Sequence, residues 1–597
     1  MAGLVTDWIR VPVGEDASRW TTRGGCRRVL LVVHNVTSAT RLLDVVPLFR
    51  DDLRIQLLAT CTGSSPFSAG VAELLSSLGV PVLPWEQAKQ TPVDLALSAS
   101  FGGELSELQG QLVVLSHGAG YNKTLATPNT EHRTPNTEHR TPNTEHRTPN
   151  APHAPVFGLA PEWLLSDGVP LARAMVLSHP EQLGRLREAC PEAAPTAVLG
   201  GDPCFDRILA ALPHRERHRR AFGVRPGQRL IVLNSTWNPQ SLFGDAGAND
   251  PLPWLLDRLT AELPVDDYRV AAVLHPNIWH GHGPGQVRLW LDRAERAGLT
   301  LIDPLDSWRQ ALIAADAVIG DFGSVSYYAA ALGTPVLLGA ASDEVLGATS
   351  PVAAFVREAP RLALDSPLRP QLEKLLTTHQ SPTSPGELTT SAPGEAAALL
   401  RSLFYEVMEL PEPTEPALLD LLPLPDYRPP TRTVPLRVRT HPGPRPHEVT
   451  VERVAEGRYG PSGPGSDHLA VHEDTLDQGL LGLADAILRH GEADDPRIGP
   501  PREWAAATLA RYPNCSLAAF VSGPDTCEVL LRDRGFVRLT SPSLDPAAAA
   551  SALFAQLDNA AVPRPLQPLR PLQPLPPMEL TVRTGGASHP VLVSPVP

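Results

Sequence analysis

Residues 316–338 read DAVIGDFGSVSYYAAALGTPVLL, and this stretch decides the fold class. Apolar residues lead into Val318-Ile319, a polar turn follows at Gly320-Asp321-Phe322-Gly323-Ser324, and a run of small residues through Leu332 has helical character. Gly333-Thr334-Pro335 breaks that helix, and Val336-Leu337-Leu338 shows the unbroken apolar pattern of a strand buried on both faces. The order strand, turn, helix, strand is the unit of a parallel sheet. A glycine- and serine-bearing turn that opens a helix presents backbone N–H groups and the positive end of a helix dipole, which suits an anion such as phosphate. An ordinary strand-to-helix turn with a serine cap satisfies the same residues.

Outward from that stretch the pattern repeats. Toward the N-terminus lie the apolar runs VLLVV (29–33), IQLLA (55–59), VPVL (80–83), LALSAS (95–100) and LVVLS (112–116), with helix-like segments between several of them. A second series reads MVLS (175–178), TAVLG (196–200), LIVLNS (230–235), RVAAVLH (269–275), TLID (300–303), AVIGD (317–321) and PVLL (335–338). Short buried strands alternating with helices predict doubly wound parallel sheets. Two consecutive series predict an α/β chain with two Rossmann-like domains facing a cleft, whose ligands sit at the carboxyl ends of the strands.

The predicted organisation is an N-terminal segment (1–27), a first Rossmann-like domain (28–170), a second (171–380), a closing helix region (381–410), a Pro-rich linker (411–435), a smaller module of α/β or α+β type (436–558) and a Pro-rich tail (559–597). The module is expected to hold strands such as 447–454 and 527–533 and helices near 476–489, 501–511 and 546–557. The heptapeptide TPNTEHR occurs three times in tandem over 127–147. A proline in every unit and the lack of apolar a and d positions exclude a coiled coil, and the segment through 150 reads as a flexible surface insertion. RPLQP occurs twice in the tail, at 564–568 and 570–574, as expected of a polyproline II tract or a low-complexity tail.

The chain has 597 residues, too many for one core, and 42% of them are hydrophobic. A net charge of −14, with basic residues scattered, excludes a general nucleic-acid binder. The six cysteines are widely spaced with no Cys-x-x-Cys pair, a pattern of reduced thiols in a cytoplasmic protein rather than of a zinc ribbon. The first twenty residues lack the layout of a signal peptide, and no early apolar run is long enough to span a bilayer, so the expectation is a cytoplasmic protein, with peripheral association at the membrane left open.

Polar residues cluster just after five predicted strands. Ser116-His117-Gly118-Ala119-Gly120 follows LVVL; His117 suits either a general base open to a cleft or a turn histidine satisfied by backbone. Gly200-Gly201-Asp202 opens a helix, with Asp202 as a predicted N-cap and Asp206 on the solvated first turn. Ser235-Thr236-Trp237-Asn238 offers hydroxyls and N–H groups for a phosphate or ribose, and His275-Pro276-Asn277 places a histidine suited to phosphate. The His275, His280, His282 spacing is not a zinc pattern, so no metal is expected. With the turn at Asp321–Ser324, these sites form one edge suited to a phosphorylated ligand.

The ordered set SHGAGYNK, GGDPCFD, NSTWNP, VLHPN and GDFGSVSYYAAALGTPVLL resembles the CDP-glycerol glycerophosphotransferase family, the teichoic-acid polymerase and primase type, over about residues 28–410. That resemblance implies a GT-B fold and transfer of a glycerophosphate or glycosyl group from a nucleotide-activated donor to an acceptor hydroxyl in envelope-polymer synthesis, with a polymeric or lipid-linked acceptor and no cofactor. It implies His117 as the base and Gly118, Thr236, Trp237, His275, Asp321 and Ser324 as donor and phosphate contacts. Three departures stand out: Gly323 where the family has its first serine, Phe205 where it has an arginine before the aspartate, and Lys123 one residue later than its lysine. Alternative readings are a UDP-sugar 2-epimerase-like or other GT-B sugar enzyme, and a catalytically inactive GT-B binding or regulatory protein.

Overall fold

The computed structural model describes residues 7–116, 118–124, 155–246, 250–380, 383–427, 432–459, 465–559 and 575–596. The TPNTEHR repeats and the RPLQP repeats lie outside these residues.

The apolar runs of the first series form a parallel sheet of seven strands. Their spatial order is Val82–Leu83, Ile55–Cys61, Arg27–Val33, Leu95–Ser98, Gln111–Val114, Ala174–Leu177, Ala197–Leu199. Arg27–Val33 lies in the interior of the sheet, third in that order, and is apolar on both faces: Val29 through Val33 are all buried. The strands at 174–177 and 197–199 were expected to begin the second domain at 171; they instead extend the first sheet, Val113 pairing with Ala174 and Met175 with Ala197. A buried parallel strand carries no mark of which sheet it joins, so the division between the sheets falls after residue 199. The helix Ala396–Val407 returns to this sheet, placing Leu400 and Phe404 in its core.

The second parallel sheet has five strands in the order Thr300–Ile302, Tyr268–Leu274, Arg229–Ser235, Ala317–Gly320, Val336–Leu338. In both sheets strand order reverses next to the first strand in sequence, the Rossmann-type switch point. In the second sheet that point falls between Arg229–Ser235 and Ala317–Gly320, which pair in parallel with Leu233 opposite Ile319. The helix Ser324–Ala331 leaves this edge with Tyr327 and Tyr328 packed inside.

The C-terminal module is a closed barrel of nine strands, where an α/β or α+β unit was expected. Around the barrel the strands run Leu436–Pro442, Glu448–Ala455, Met578–Thr584, Ala587–Pro595, Gly535–Thr540, Thr526–Leu531, Leu517–Val521, Ala486–His490 and Ser466–His472. Two of them come from the stretch expected to be a Pro-rich tail. The helix expected across 476–489 is a short one, Gln478–Leu483, followed by the strand Ala486–His490. The helix Pro546–Asn559 packs against the inward-facing residues of the strands, with Ala547 through Ala550, Ala552 and Leu553 buried on all sides of it. A helix apolar all round must be enclosed, and its alanines let the strands close at short range. The barrel is seated on the second sheet by Arg453, whose Nε and Nη2 donate to Asp266 at 2.8 and 2.7 Å. Among the described residues no helix is long and apolar enough to cross a membrane.

Candidate functional site

At the switch point of the second sheet, two chains leave neighbouring strand ends and need to be held apart at a fixed angle. Asp321 does this. Fully buried, it accepts from the backbone N–H of Gly323 through Oδ1 at 2.9 Å and from Thr236 and Leu242 through Oδ2 at 2.9 and 3.1 Å. Ser235 Oγ lies 3.1 Å from the same oxygen. Burial raises the Asp321 carboxyl above the usual carboxylate range, and the N–H groups of Leu242, Gly323 and Thr236 with the Lys123 ammonium oppose that rise. Its geometry makes it the residue that shapes the turn, with both oxygens occupied by protein groups.

The turn delivers Ser324 as the first residue of its helix, with Gly323 as N-cap. A Cβ at Gly323 would stand 2.9 Å from Thr236 Cβ and 3.0 Å from Asp321 Oδ1. The family-pattern serine therefore does not fit this backbone without movement, and the glycine follows from the close approach of Thr236. Ser324 Oγ faces the first domain: it accepts from Ala119 N–H at 3.4 Å, and a Cβ at Gly118 would lie 2.8 Å from it. The glycine at 118 lets the loop after the strand Gln111–Val114 reach the helix N-terminus.

Lys123 comes from that same loop. Its Nζ donates to Thr236 Oγ1 at 3.3 Å and stands 5.9 Å from the Trp237 ring centroid. Burial pushes its ammonium below the usual lysine range, with Asp321 acting against that shift. Trp237 packs edge-on against Phe67, 4.9 Å between centroids, and lies 6.4 Å from the His275 ring. His275 caps the helix Pro276–His282: its Nδ1 accepts from Asn277 N–H at 3.1 Å, which places the ring proton on Nε2 in the neutral tautomer.

Thr236, Trp237, His275, Asp321, Ser324 and Gly118 thus gather at one sheet edge. His117 lies outside the described residues; its neighbours are joined by the Ser116 hydroxyl donating to the Gly118 carbonyl at 3.2 Å. Asp202 caps its helix as expected, accepting from Cys204 and Phe205 N–H. Asp206, expected on a solvated turn, is buried instead: it accepts from Gly394 and Ala396 N–H at 2.8 and 2.9 Å and holds the start of the closing helix. Among the described residues no group of three His, Cys, Asp or Glu is placed to hold a metal ion.

One group at a strand end has no place in the sequence reading, and another enters it only as a departure from the family pattern. Lys123 enters the site only through the folding of its loop. His34 follows the strand Arg27–Val33 directly, the same signal that singled out His275; it is buried at the switch point of the first sheet with Nε2 2.6 Å from the Gly102 carbonyl.

No family model matches the chain, and no curated protein matches it. Among solved structures it is similar to the wall teichoic acid polymerase TagF, at 11% identity and a TM-score of 0.40 over 64% of this chain and 89% of that one. It is also similar to the UDP-GlcNAc 2-epimerase of Methanocaldococcus jannaschii in complex with UDP-GlcNAc and UDP, at 11% identity and a TM-score of 0.40 over 63% and 99% of the two chains. The Anabaena protein Alr3699/HepE in complex with UDP-glucose aligns at 13% identity and a TM-score of 0.33 over 64% and 100%.

Proposed function

We propose that the two α/β domains form a GT-B-type transferase that moves a glycerophosphate or glycosyl group from a nucleotide-activated donor to an acceptor hydroxyl. The observation that carries this reading is the meeting of Lys123, Thr236 and the Ser324 helix N-terminus at the switch point of the second sheet. An ammonium, a hydroxyl and free-ended backbone N–H groups at one strand edge suit the phosphates of such a donor. The motif resemblance favours CDP-glycerol as the donor and an envelope polymer or its lipid-linked precursor as the acceptor, reached from the cytoplasmic face of the membrane.

In this scheme His117 takes the proton of the acceptor hydroxyl as the oxygen attacks the donor. The bond to the leaving nucleotide breaks, and negative charge grows on its terminal phosphate. Lys123, the helix dipole at Ser324 and His275 Nε2–H meet that charge, and Asp321 keeps the turn in place while it develops. No step is routed through a metal.

Thermal shifts with CDP-, UDP- and GDP-linked ligands identify the donor base, because only a ligand of the native chain raises its melting temperature by mass action. His117→Ala is expected to keep nucleotide affinity and lose turnover by roughly 10²–10⁴-fold. Full turnover in that variant removes the base assignment. Retained nucleotide binding with no turnover of any donor by the wild-type chain replaces the transferase with a binding protein.

A further inference from the structure

The opposite edge of the second sheet, where the barrel docks, carries an excess of buried positive charge. Four guanidiniums gather there: Arg225 before the strand Arg229–Ser235, Arg269 in the strand Tyr268–Leu274, Arg432 ahead of the barrel and Arg453 within it. Two carboxylates, Asp266 and Asp545, face them. Three of the guanidiniums converge on one oxygen, Asp545 Oδ2, at 2.9 Å from Arg453, 3.6 Å from Arg432 and 3.7 Å from Arg225. The other oxygen of Asp545 is spent on Ala547 N–H, at the start of the helix inside the barrel. Asp266 is engaged on both oxygens by Arg453.

That leaves the rest of the cluster short of negative charge. Arg269 is 2% exposed, and its hydrogen-bond partners are neutral: the carbonyls of Phe222 and Gly298 and the Thr300 hydroxyl. Burial pushes its guanidinium down to about 9, and the charges of Arg432 and Arg225 add to that. Arg432 lies over Gly298, whose added Cβ would stand 2.9 Å from its Nε, and that buried Nε has no hydrogen-bond partner. Chains do not ordinarily bury guanidiniums together without counter-charge. Access from solvent exists, since the Arg225 side chain is 36% exposed. It borders a cleft with Ser543, Asp545, Gly585 and His589 along its wall.

We propose that this junction is a binding site for a doubly charged oxyanion, inorganic phosphate or a phosphate monoester, held by Arg225 and Arg432 with Arg269 behind them. The anion supplies the missing counter-charge between the second sheet and the barrel. This site is on the edge away from Ser324 and is independent of the donor reading.

The test is the melting temperature of the full chain in phosphate, in glycerol 3-phosphate and in chloride at matched ionic strength. The expected result is a saturable rise of roughly 2 °C at a hundredfold excess over Kd. The rise is abolished in Arg225→Gln and in Arg432→Gln, weakened in Arg225→Lys, and kept in Lys123→Met. A rise with inorganic phosphate alone assigns free phosphate, and a larger rise with the ester assigns a monoester. Absence of a saturable rise overturns the proposal. So does a rise that survives Arg225→Gln, or one lost in Lys123→Met, which places the anion in the cleft. Where a glutamine variant fails to fold, ³¹P line broadening of phosphate by the wild-type and Arg225→Lys chains decides: none with wild type, or equal broadening with both, overturns it.

Discussion

Replacing Asp321 with asparagine tests the structural basis of the candidate site. The carboxylate accepts from three backbone N–H groups, two on Oδ2 and one on Oδ1, inside a fully buried turn. Asparagine has one acceptor oxygen. In its better orientation that oxygen keeps Thr236 and Leu242, and its amide then points at the N–H of Gly323, donor against donor. One charge-assisted bond is lost, worth about 1.5–3 kcal/mol, and a buried N–H is left unpaired at about 1–3 kcal/mol. Burial already works against the carboxylate, as the raised position of its titration shows, and the neutral amide escapes part of that cost. The net expectation is a loss of about 2–4 kcal/mol. Urea unfolding of the full chain followed by circular dichroism reads it as a lower midpoint. Ser324→Ala is the control, since it removes one long contact at 3.4 Å and should cost no more than about 1 kcal/mol. Asp321→Asn within about 0.5 kcal/mol of wild type refutes the assignment of this carboxylate as the holder of the turn.

One further outcome concerns the same turn and another the barrel side of the second sheet. Gly323→Ser, which restores the family-pattern residue, is expected to destabilise by about 1–3 kcal/mol because its Cβ meets Thr236 at 2.9 Å, measured by the same unfolding series. Asp267 faces Asp266 and Glu452 of like charge and Arg369 and Arg229 of opposite charge, and burial, the largest cause, pushes its carboxyl up to about 7. The folded chain then binds this proton more tightly than the unfolded one, so the stability is present at low pH and is lost as pH rises from the ordinary carboxylate value through about 7. Between pH 5 and pH 8 that loss is about 2.5 kcal/mol. Asp267→Asn should flatten it, making the variant gain on wild type as the pH rises; unfolding curves at the two pH values measure the difference.

The strands were legible in the sequence because parallel strands buried on both faces leave continuous apolar runs, as at 29–33 and 230–235. Their partners were not. The runs at 175–178 and 196–200 look like those that follow them, and only pairing with Val113 and Met175 assigns them to the first sheet. The strand-end rule found Thr236, Trp237, His275 and Ser324 because those residues follow apolar runs directly. It gave no hint of Lys123, whose part depends on a glycine-rich loop crossing to the other domain. Asp206 was read as solvated because a carboxylate in a first helical turn usually is; the closing helix that buries it lies almost two hundred residues on. In the barrel, MELTVRT at 578–584 does alternate, Leu580 and Val582 pointing inward. The prolines before it hid the pattern, and closure of a barrel leaves no local signature.

The contacts that join the two α/β domains are of two kinds, buried ion pairs at one end and hydrogen bonds of the 118–124 loop at the other. On the helix Val36–Val45 of the first domain, Asp44 is buried between Arg207 and Arg309, the second at 2.7 Å. Close by, Arg41 of the same helix donates to the Tyr328 hydroxyl at 3.2 Å, and that hydroxyl donates to Asp202 at 2.6 Å. Removing one partner from a buried pair of this kind costs about 3–5 kcal/mol. At the cleft two links are long, Lys123 to Thr236 at 3.3 Å and Ala119 to Ser324 at 3.4 Å, each at the weak end of a hydrogen bond worth about 0.5–1.5 kcal/mol, while the backbone of the same loop is tied to the second domain by Gly347 N–H donating to the Asn122 carbonyl at 2.7 Å and Thr124 N–H to the Val345 carbonyl at 3.0 Å. On the proposed reading, a donor that inserts its phosphates between Gly118 and Ser324 breaks the two long bonds and replaces them with charge-assisted ones. It has no reason to break the Asp44 set. The backbone bonds of Asn122 and Thr124 stay as well, so such a ligand is expected to displace the Gly118-Ala119 turn from Ser324 without parting the domains, while Arg453 holds the barrel to the second sheet. The Gly118–Ser324 contact is the part of the interface that yields to a ligand at least cost.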